Sequence, residues 1–109
     1  MLKIEAFLGN NDVMAISEEL KEVEIGGLTV GKVRGRGKRP PPEIHASKGS
    51  AIFQPQFSQK YVIELVIPEN KEEQVINILK DKGTVGKIFV SPVIRAIDIA
   101  TENEGESVI

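Results

Sequence analysis

The N-terminal half of the chain changes from a two-residue to a three- or four-residue hydrophobic period. Residues 2–8, LKIEAFL, have only hydrophobic residues at every second position, as in a strand with one buried face. Residues 13–23 carry hydrophobic residues at three- and four-residue steps, which predicts an amphipathic helix capped by Asn11 or Asp12. Gly26-Gly27 is predicted to provide a left-handed helix stop before a second strand, LTVGKVRGRG.

The same order of periods returns in the second half. Residues 61–68, YVIELVIP, are rich in β-branched residues and predict a strand. A hydrophobic stripe at helical spacing follows, and the helix is predicted to end at Gly83. The last hydrophobic run, residues 87–99, predicts a strand that is interrupted or bulged at Pro92, because proline has no amide hydrogen to donate to a sheet.

Two strand-helix-strand halves predict an α+β protein with a ferredoxin-like β-α-β-β-α-β sandwich, in which both helices cover one face of a four-stranded sheet. Residues 1–109 are expected to form this single domain, with a long loop at about 37–58 and a C-terminal tail at about 99–109. The strand after the loop is hydrophobic on both faces, since Val62 and Val66 alternate with its core residues. A solvated face would not carry them, so we expect a homo-oligomer that buries the second face.

The loop of residues 37–58 has three consecutive prolines and no hydrophobic period, so it is predicted to contain neither helix nor strand. Loops of about 20 residues in compact domains are usually functional or disordered. Ile44, Ile52 and Phe53 add more hydrophobic surface than a spacer needs. Two interpretations stay open: the loop docks on a partner or folds over a ligand, or it is a mobile insertion.

Composition excludes several function classes. The absence of cysteine excludes disulfides, thiolate zinc sites and a cysteine nucleophile. No catalytic triad or carboxylate pair can be assembled, and His45 is the only histidine, so we expect neither an enzyme nor a metal site. The hydrophobic runs are far shorter than the about 20 residues that span a bilayer, and no signal-peptide pattern is present. A cytoplasmic protein without membrane insertion is expected.

Positive charge is concentrated beside the long loop. The net charge is -2, yet residues 32–39, KVRGRGKR, contain five of the 14 Lys and Arg residues and no acidic residue. Gly35 and Gly37 allow a ligand to approach the backbone, so the segment is predicted to form an anion cradle. The alternative is a solvated basic edge that discourages sheet-to-sheet pairing. Without an aromatic residue to stack on bases, no nucleic acid partner is expected.

Three weaker signals lie elsewhere. The segment GTVGK at residues 83–87 is a second candidate cradle, although its spacing excludes a Walker A motif. Glu64 lies among hydrophobic residues in mid-strand, where it either pairs with a cation or a ligand or simply faces outward at an edge. The acidic tail is expected to be solvated, or in an oligomer to reach a neighbour's basic segment.

These segments together resemble the PII signal-transduction family over nearly the whole chain. The most specific string is GKIFVSPV at residues 86–93, and KIEAFL, GGLTV and VRGRG precede it in the family's order. The resemblance implies a homotrimer whose lateral clefts bind an adenine nucleotide (ATP, ADP or AMP) as an effector, without a prosthetic group. It also implies that the long loop regulates a membrane transporter, such as an ammonium channel, or a metabolic enzyme.

The resemblance implies roles for individual residues. The adenine side would comprise Gly27, Leu28, Thr29, Glu64 and Val66. The phosphates would lie beside the loop root and the loop before the last strand, at Gly35, Arg36, Gly37, Lys38, Gly86 and Lys87. Further anion contacts are expected from Arg34, Arg39 and Lys60, and partner contacts from Ile44, Ile52 and Phe53.

Departures from the family pattern change these expectations. Arg39 stands where typical members have a glutamine that helps to bind magnesium and 2-oxoglutarate, and a guanidinium cannot coordinate magnesium. Asp98 and Ala100 stand where two arginines grip a neighbour's nucleotide phosphates, and the loop before Lys87 is shorter. We therefore expect weaker ATP binding, or a preference for ADP, AMP or another anion.

The loop also lacks the tyrosine that uridylylated members carry, so that modification is not expected. An alternative that keeps the fold is a ligand-independent interaction protein that recognises its partner through the proline-rich loop.

Overall fold

The computed structural model describes residues 1–38, 44–45, 52–53 and 56–109. In chain order, its strands and helices are β1 (Leu2–Leu8), α1 (Val13–Leu20), β2 (Thr29–Gly35), β3 (Ile44–His45), β4 (Ile52–Phe53), β5 (Ser58–Ile67), α2 (Glu72–Lys82) and β6 (Gly86–Pro92). Short 3-10 turns precede the two α-helices, at Asn10–Asp12 and Glu69–Lys71, and another lies at Glu106–Val108.

The four long strands form one sheet in the order β2-β5-β1-β6, and every neighbouring pair is antiparallel. β5 therefore lies between the two strands of the first half, and β1 lies between the two strands of the second half. This interleaving of two strand-helix-strand units is the ferredoxin-like arrangement. The predicted α+β architecture is confirmed.

Both helices pack on the same face of the sheet, and the core lies between the two layers. The two-residue period of the central strands directs alternate side chains into this layer, and the helices supply residues four apart on one side. The buried cluster comprises Ile4, Ala6, Leu8, Ile16, Leu20, Ile63, Leu65, Ile67, Val75 and Leu79. The hydrophobic pattern of the sequence thus identified the core face of both central strands.

The end of α1 differs from the prediction. The helix ends at Leu20 instead of continuing to Val23, because the next three amides bond to carbonyls only three residues back, which tightens the last turn. Val23 stays buried in that turn. The predicted left-handed stop at Gly26-Gly27 is wrong, since the glycines with positive φ in the described residues are Gly86 and Gly105.

The prediction that residues 37–58 contain no strand is also wrong. The backbone of β3 pairs antiparallel with that of β4, with Ile44 opposite Phe53 and His45 opposite Ile52. Hydrogen bonds between the two segments depend on the path of the loop and leave no hydrophobic period, so the sequence pattern did not reveal them. β5 then begins at Ser58, within the range expected for the loop.

The last strand ends at Pro92 and does not resume in the main sheet. The following residues form a turn in which Ile97 makes an isolated antiparallel bridge with Glu104. Arg95 and Glu104 form a bidentate ion pair at 2.7 and 3.3 Å, and the amide of Gly105 donates to the carbonyl of Ala96. The acidic tail, expected to be solvated, is therefore partly ordered by its own hydrogen bonds.

In the part of the chain that the structure describes, neither helix has the length and hydrophobicity needed to span a membrane.

Candidate functional site

The face of the sheet opposite the helices carries several of the predicted binding residues. The register pairs Thr29 with Glu64 and Val66 with Lys3, and it pairs Lys87 with Phe7. Lys3, Phe7, Glu64 and Val66 alternate with the buried residues of β1 and β5, so their side chains lie on the opposite, uncovered face. Thr29 and Lys87 lie directly opposite Glu64 and Phe7 in the register and therefore share that face. Side chains from four separate strands therefore lie on one face of the sheet. The sequence alone did not indicate that they lie together, and only the family resemblance suggested it.

Glu64 lies within a small charged cluster on this face. Its carboxylate is 3.9 Å from the ammonium of Lys3, which also lies 3.5 Å from the carboxylate of Glu5. Glu5 and Glu64 are direct cross-strand partners, a pairing that like charges destabilise unless a cation bridges them. Lys3 is that cation. With 46% of its side chain exposed, Glu64 still presents a carboxylate beside Thr29 to a hydrogen-bond donor.

The root of the long loop forms a cationic corner on the same face. A Cβ atom at Gly35 would lie 3.4 Å from Cδ of Lys60, and one at Gly37 would lie 3.5 Å from its Nζ. The Lys60 side chain therefore runs along the two glycines and ends with its ammonium beside Gly37. Arg36 and Lys38 are the neighbours of Gly37 in the sequence, and both are exposed.

Among the described residues, these cations have no acidic partner. Within the described residues, no carboxylate lies within ion-pair distance of Arg36, Lys38 or Lys60, nor of Lys87. Unpaired cations beside exposed backbone amides attract anions, because the anion gains charge-assisted hydrogen bonds. The corner has the chemistry of a phosphate or carboxylate site.

Arg34 is not brought to this corner. It lies on the other side of β2, like Lys32, whose ammonium is 5.9 Å from the centre of the Tyr61 ring. Arg39 lies outside the described residues. Ile44, Ile52 and Phe53 are known only through the backbone pairing of β3 with β4, so their predicted contact with a partner stays a prediction.

The second predicted cradle is a tight connection between α2 and β6. Gly83 caps α2, its amide donating to the carbonyl of Leu79 at 2.9 Å. Gly86 has a φ of +142°, and a Cβ atom there would lie 1.9 Å from the carbonyl oxygen of Phe7, so only glycine fits. Lys87 follows directly, exposed on the uncovered face.

The two cationic groups lie on opposite edge strands. Gly35 ends β2 and Gly86 begins β6, both toward the end of the sheet at which β1 stops. Two strands separate them, which corresponds to three spacings or about 14 Å across the sheet. A single ligand that touches both groups within one chain must extend across β5 and β1.

Gly27 and Leu28 lie elsewhere, in the connection that leads into β2. Together with residues of α1 they line a surface concavity of about 320 Å³; its lining residues are Ser17, Leu20, Lys21, Val23, Ile25, Gly26, Gly27 and Leu28. Thr29 is the first residue of β2, so this concavity ends where the uncovered face begins. The expected adenine-side residues are thus divided between two neighbouring surfaces.

The C-terminal turn presents an anion at Asp98, a position where the resemblance implies a cation. The backbone amide and the hydroxyl of Thr101 lower the pKa of Asp98, and the amide of Ala100 adds to the effect. Both amides donate to Oδ1 of Asp98 at 2.9 Å. Because these bonds stabilise the carboxylate, Asp98 is ionised at neutral pH and repels a phosphate.

Sequence reasoning missed two features of the site. The sequence predicts that Asn11 or Asp12 caps the first helix, yet the Asp12 carboxylate makes no hydrogen bond to that helix and accepts hydrogen bonds from Thr84 in the loop before β6. Phe7 packs edge-on against Phe89, with ring centres 5.9 Å apart, and gives the uncovered face a hydrophobic patch beside Lys87. No group of three metal-ligating side chains occurs among the described residues.

Comparisons with known proteins agree with this architecture. The family model for "Nitrogen regulatory protein P-II" matches residues 1–103. The chain is 33% identical to Nitrogen regulatory protein P-II of Haemophilus influenzae and 32% identical to that of Cereibacter sphaeroides, in each case over the full length of both chains. It is 33% identical to the P-II homolog of Arabidopsis thaliana over 95% of this chain and 55% of the plant protein.

Proposed function

This chain belongs to the nitrogen regulatory protein P-II family, and on that premise we propose that it is a regulatory binding protein of nitrogen metabolism. A homotrimer binds an adenine nucleotide (ATP, ADP or AMP) or a related anion in clefts between its subunits. Binding changes the conformations available to the long loop, which regulates a membrane transporter, such as an ammonium channel, or a metabolic enzyme.

The observation that carries the proposal is the cationic corner at the loop root. Lys60 ends beside Gly37, and Arg36 and Lys38 flank it with no carboxylate nearby in the described residues. An anion held there contacts the backbone from which the long loop departs. Since a ligand shifts an equilibrium only through its different affinities for two states, a site at the loop root is well situated to change the loop.

The exposed hydrophobic residues at and beyond β6 support the homotrimer. Six of the nine exposed large hydrophobic residues in the described chain lie between residues 85 and 99. Ile94 and Ile99 are 90% and 96% exposed, at or beyond the β6 edge. Hydrophobic surface collected at one edge is typical of protein interfaces. When this edge packs against another subunit, a cleft forms between the two chains. In that cleft the loop-root cations of one subunit and Lys87 of the other approach the same ligand.

The C-terminal turn supports a changed ligand preference. Asp98 is an anion, and Ala100 carries no charge, so this turn offers no grip on a phosphate chain. Each charge-assisted hydrogen bond contributes about 1.5–3 kcal/mol, which corresponds to roughly ten- to a hundredfold in affinity. ATP, with the longest phosphate chain, loses most from the absent cations. We therefore expect ADP, AMP or another small anion to bind at least as tightly as ATP.

Calorimetric titration tests the ligand. ATP, ADP and AMP are each titrated into the protein with and without magnesium, bicarbonate and 2-oxoglutarate. Lys60→Ala is expected to weaken binding about tenfold or more. Lys32→Ala is the matched control, because it removes a cation of the same segment from the opposite face. No heat from any nucleotide at millimolar concentration would contradict the proposal, as would equal losses in both variants.

The oligomeric state is tested separately by native mass spectrometry at micromolar concentration. A mass of three chains is expected, and a stable monomer would contradict the inter-subunit clefts. Ile99→Asp, which introduces a charge at the exposed edge, is expected to shift the population toward monomers.

The alternative, a ligand-independent interaction protein, is favoured by one observation. The pairing of β3 with β4 gives the long loop a structural element of its own. In that case the double variant Arg36→Ala, Lys38→Ala binds the partner as the unaltered protein does, and nucleotides have no effect on partner binding. Loss of nucleotide-dependent partner binding in the double variant supports the regulatory proposal instead.

A further inference from the structure

A buried carboxylate joins the start of α1 to the loop before β6. Asp12 is only 5% exposed. The amide of Thr84 donates to its Oδ2 at 3.0 Å, and the Thr84 hydroxyl lies 3.1 Å from Oδ2 and 3.4 Å from Oδ1. The two residues are 72 positions apart in the sequence.

Asp12 occupies the N-cap position of α1 but makes no side-chain hydrogen bond to that helix. Burial of a carboxylate is unfavourable unless its oxygens accept hydrogen bonds, and here Thr84 is the donor to both oxygens. The common structural use of an aspartate at this position, capping its own helix, therefore does not account for it. Its contacts are directed at the loop that ends at Lys87.

The loop of residues 83–86 contacts the rest of the fold at both ends through its backbone, and between the ends it is held by a hydrogen-bonded side chain. Gly83 is tied to α2 by its amide, and Gly86 lies against the backbone of Phe7. Thr84 and Val85 between them are exposed, and the Asp12 carboxylate holds the first of the two. Loss of that carboxylate leaves both ends attached, so the fold persists while the middle of the loop becomes free to move.

We propose that Asp12 is a positioning residue that holds the loop of residues 83–86 in the conformation in which Lys87 and the neighbouring amides meet an anion. This inference rests on the proposed function, because it assigns to Asp12 a share of the anion affinity through Lys87. The mechanism is pre-organisation: an ordered loop loses less conformational freedom when the ligand binds, which leaves more of the contact energy as affinity. Asp12 itself, being buried and anionic, does not touch the ligand.

A double-mutant cycle tests the coupling, with ADP as the probe and inorganic tripolyphosphate as the second ligand. Asp12→Ala is expected to weaken binding about three- to tenfold, and Lys87→Ala about tenfold. If Asp12 acts through Lys87, Asp12→Ala causes little further loss in the Lys87→Ala background. Asp81→Ala is the matched control, since Asp81 is an exposed aspartate of α2 whose nearest cation is Lys82.

A second pair of variants keeps the test valid if Asp12→Ala does not fold. Thr84→Val removes the hydroxyl donor and is expected to weaken binding, whereas Thr84→Ser keeps it and is expected to bind as the unaltered protein does. A positioning role predicts that the effect of Asp12→Ala on binding depends on Lys87 and that Thr84→Ser restores binding. A purely structural role predicts lower thermal stability with an unchanged dissociation constant.

The outcomes distinguish the two proposals. If the unaltered protein binds neither probe, this inference is overturned, and the proposed function is overturned with it only when ATP and AMP also fail to bind. If the unaltered protein binds and the Asp12 and Thr84 variants bind equally well, the positioning role is overturned while the proposed function stands. Losses that simply add to that of Lys87→Ala also overturn it, because Asp12 would then act independently of Lys87.

Discussion

Replacement of Gly86 by alanine measures how closely β6 is held against β1 at the start of the strand. A Cβ atom on Gly86 would lie 1.9 Å from the carbonyl oxygen of Phe7, whereas Cβ atoms in proteins essentially never come closer than 3.0 Å to another heavy atom. The obstructing atom belongs to the backbone of a central strand, so no side-chain rotation relieves the clash. The φ of +142° is in addition a conformation that side-chain-bearing residues rarely adopt.

Two contributions to the free energy of unfolding add at this position. Backbone strain in a sparsely populated region costs about 1–3 kcal/mol. An extra carbon forced into a closely packed place costs about 1–3 kcal/mol more. Gly86→Ala is therefore expected to destabilise the protein by about 2–6 kcal/mol, which is a large share of the about 5–15 kcal/mol of an ordinary domain.

Two other glycines separate the contributions. Gly105 has a φ of +108°, but a Cβ atom there would have nothing within 4 Å, so Gly105→Ala reports backbone strain alone. Gly27 has neither a positive φ nor a neighbour within 4 Å, and Gly27→Ala is expected to be neutral or slightly stabilising, by up to about 1 kcal/mol.

Urea unfolding followed by circular dichroism gives the three free energies. All variants are compared at one protein concentration, because the unfolding of an oligomer depends on concentration. The expected order of destabilisation is Gly86→Ala, then Gly105→Ala, then Gly27→Ala. Equal losses at Gly86 and Gly105 would refute the steric reasoning, and no loss at either would refute the backbone reasoning as well.

Three further predictions concern the core, the C-terminal turn and the C-terminal residue. Ile63→Ala, at a fully buried position, is expected to lower the free energy of unfolding by about 2–5 kcal/mol in the same urea assay; a loss under about 1 kcal/mol would contradict its place in the core. Asp98 has a lowered pKa in the folded protein, so its stabilising effect is complete above the ordinary value of 3.8 and disappears as the pH falls through the lowered value. Asp98→Ala should therefore destabilise at neutral pH and have no effect in strongly acid solution, and thermal melts that show the same difference at both pH values would refute this. Gly26→Ala would bring a Cβ atom 2.7 Å from the carbonyl carbon of Ile109, so faster carboxypeptidase release of the last residues is expected, and an unchanged rate would contradict that contact.

Much of the fold was predictable because it depends on local periodicity. The two-residue period of residues 2–8 and 61–67 identified the buried faces of β1 and β5, and the helical period identified Ile16 and Val75 as core residues. The ends of the elements were less predictable. α1 stops three residues before Val23 because successive amides shift to three-residue bonds, a choice between two nearly equivalent turn geometries that hydrophobic spacing does not distinguish.

The sequence named residues for the candidate site but did not indicate their geometry. The glycines and cations of residues 32–39 indicated an anion cradle, and Lys60 does run along Gly35 and Gly37. The sequence did not indicate that Arg34 would lie on the other face, because the strand begins and ends at positions that the pattern left open. The sequence also predicted a different role for Asp12. An aspartate before a helix is expected to cap that helix, and its hydrogen bond with the distant Thr84 leaves no signal in the sequence.

What the sequence by itself determined is which residues are strand, helix and core, since hydrophobic side chains at a regular spacing form one continuous face whatever surrounds them. Only the tertiary structure decided the order β2-β5-β1-β6, which puts the loop root and Lys87 on opposite edges of one sheet face. The same holds for the contact between Asp12 and Thr84. The physical reason is that strand order and contacts between distant loops depend on how all the elements pack together, and no short segment of the chain carries that information.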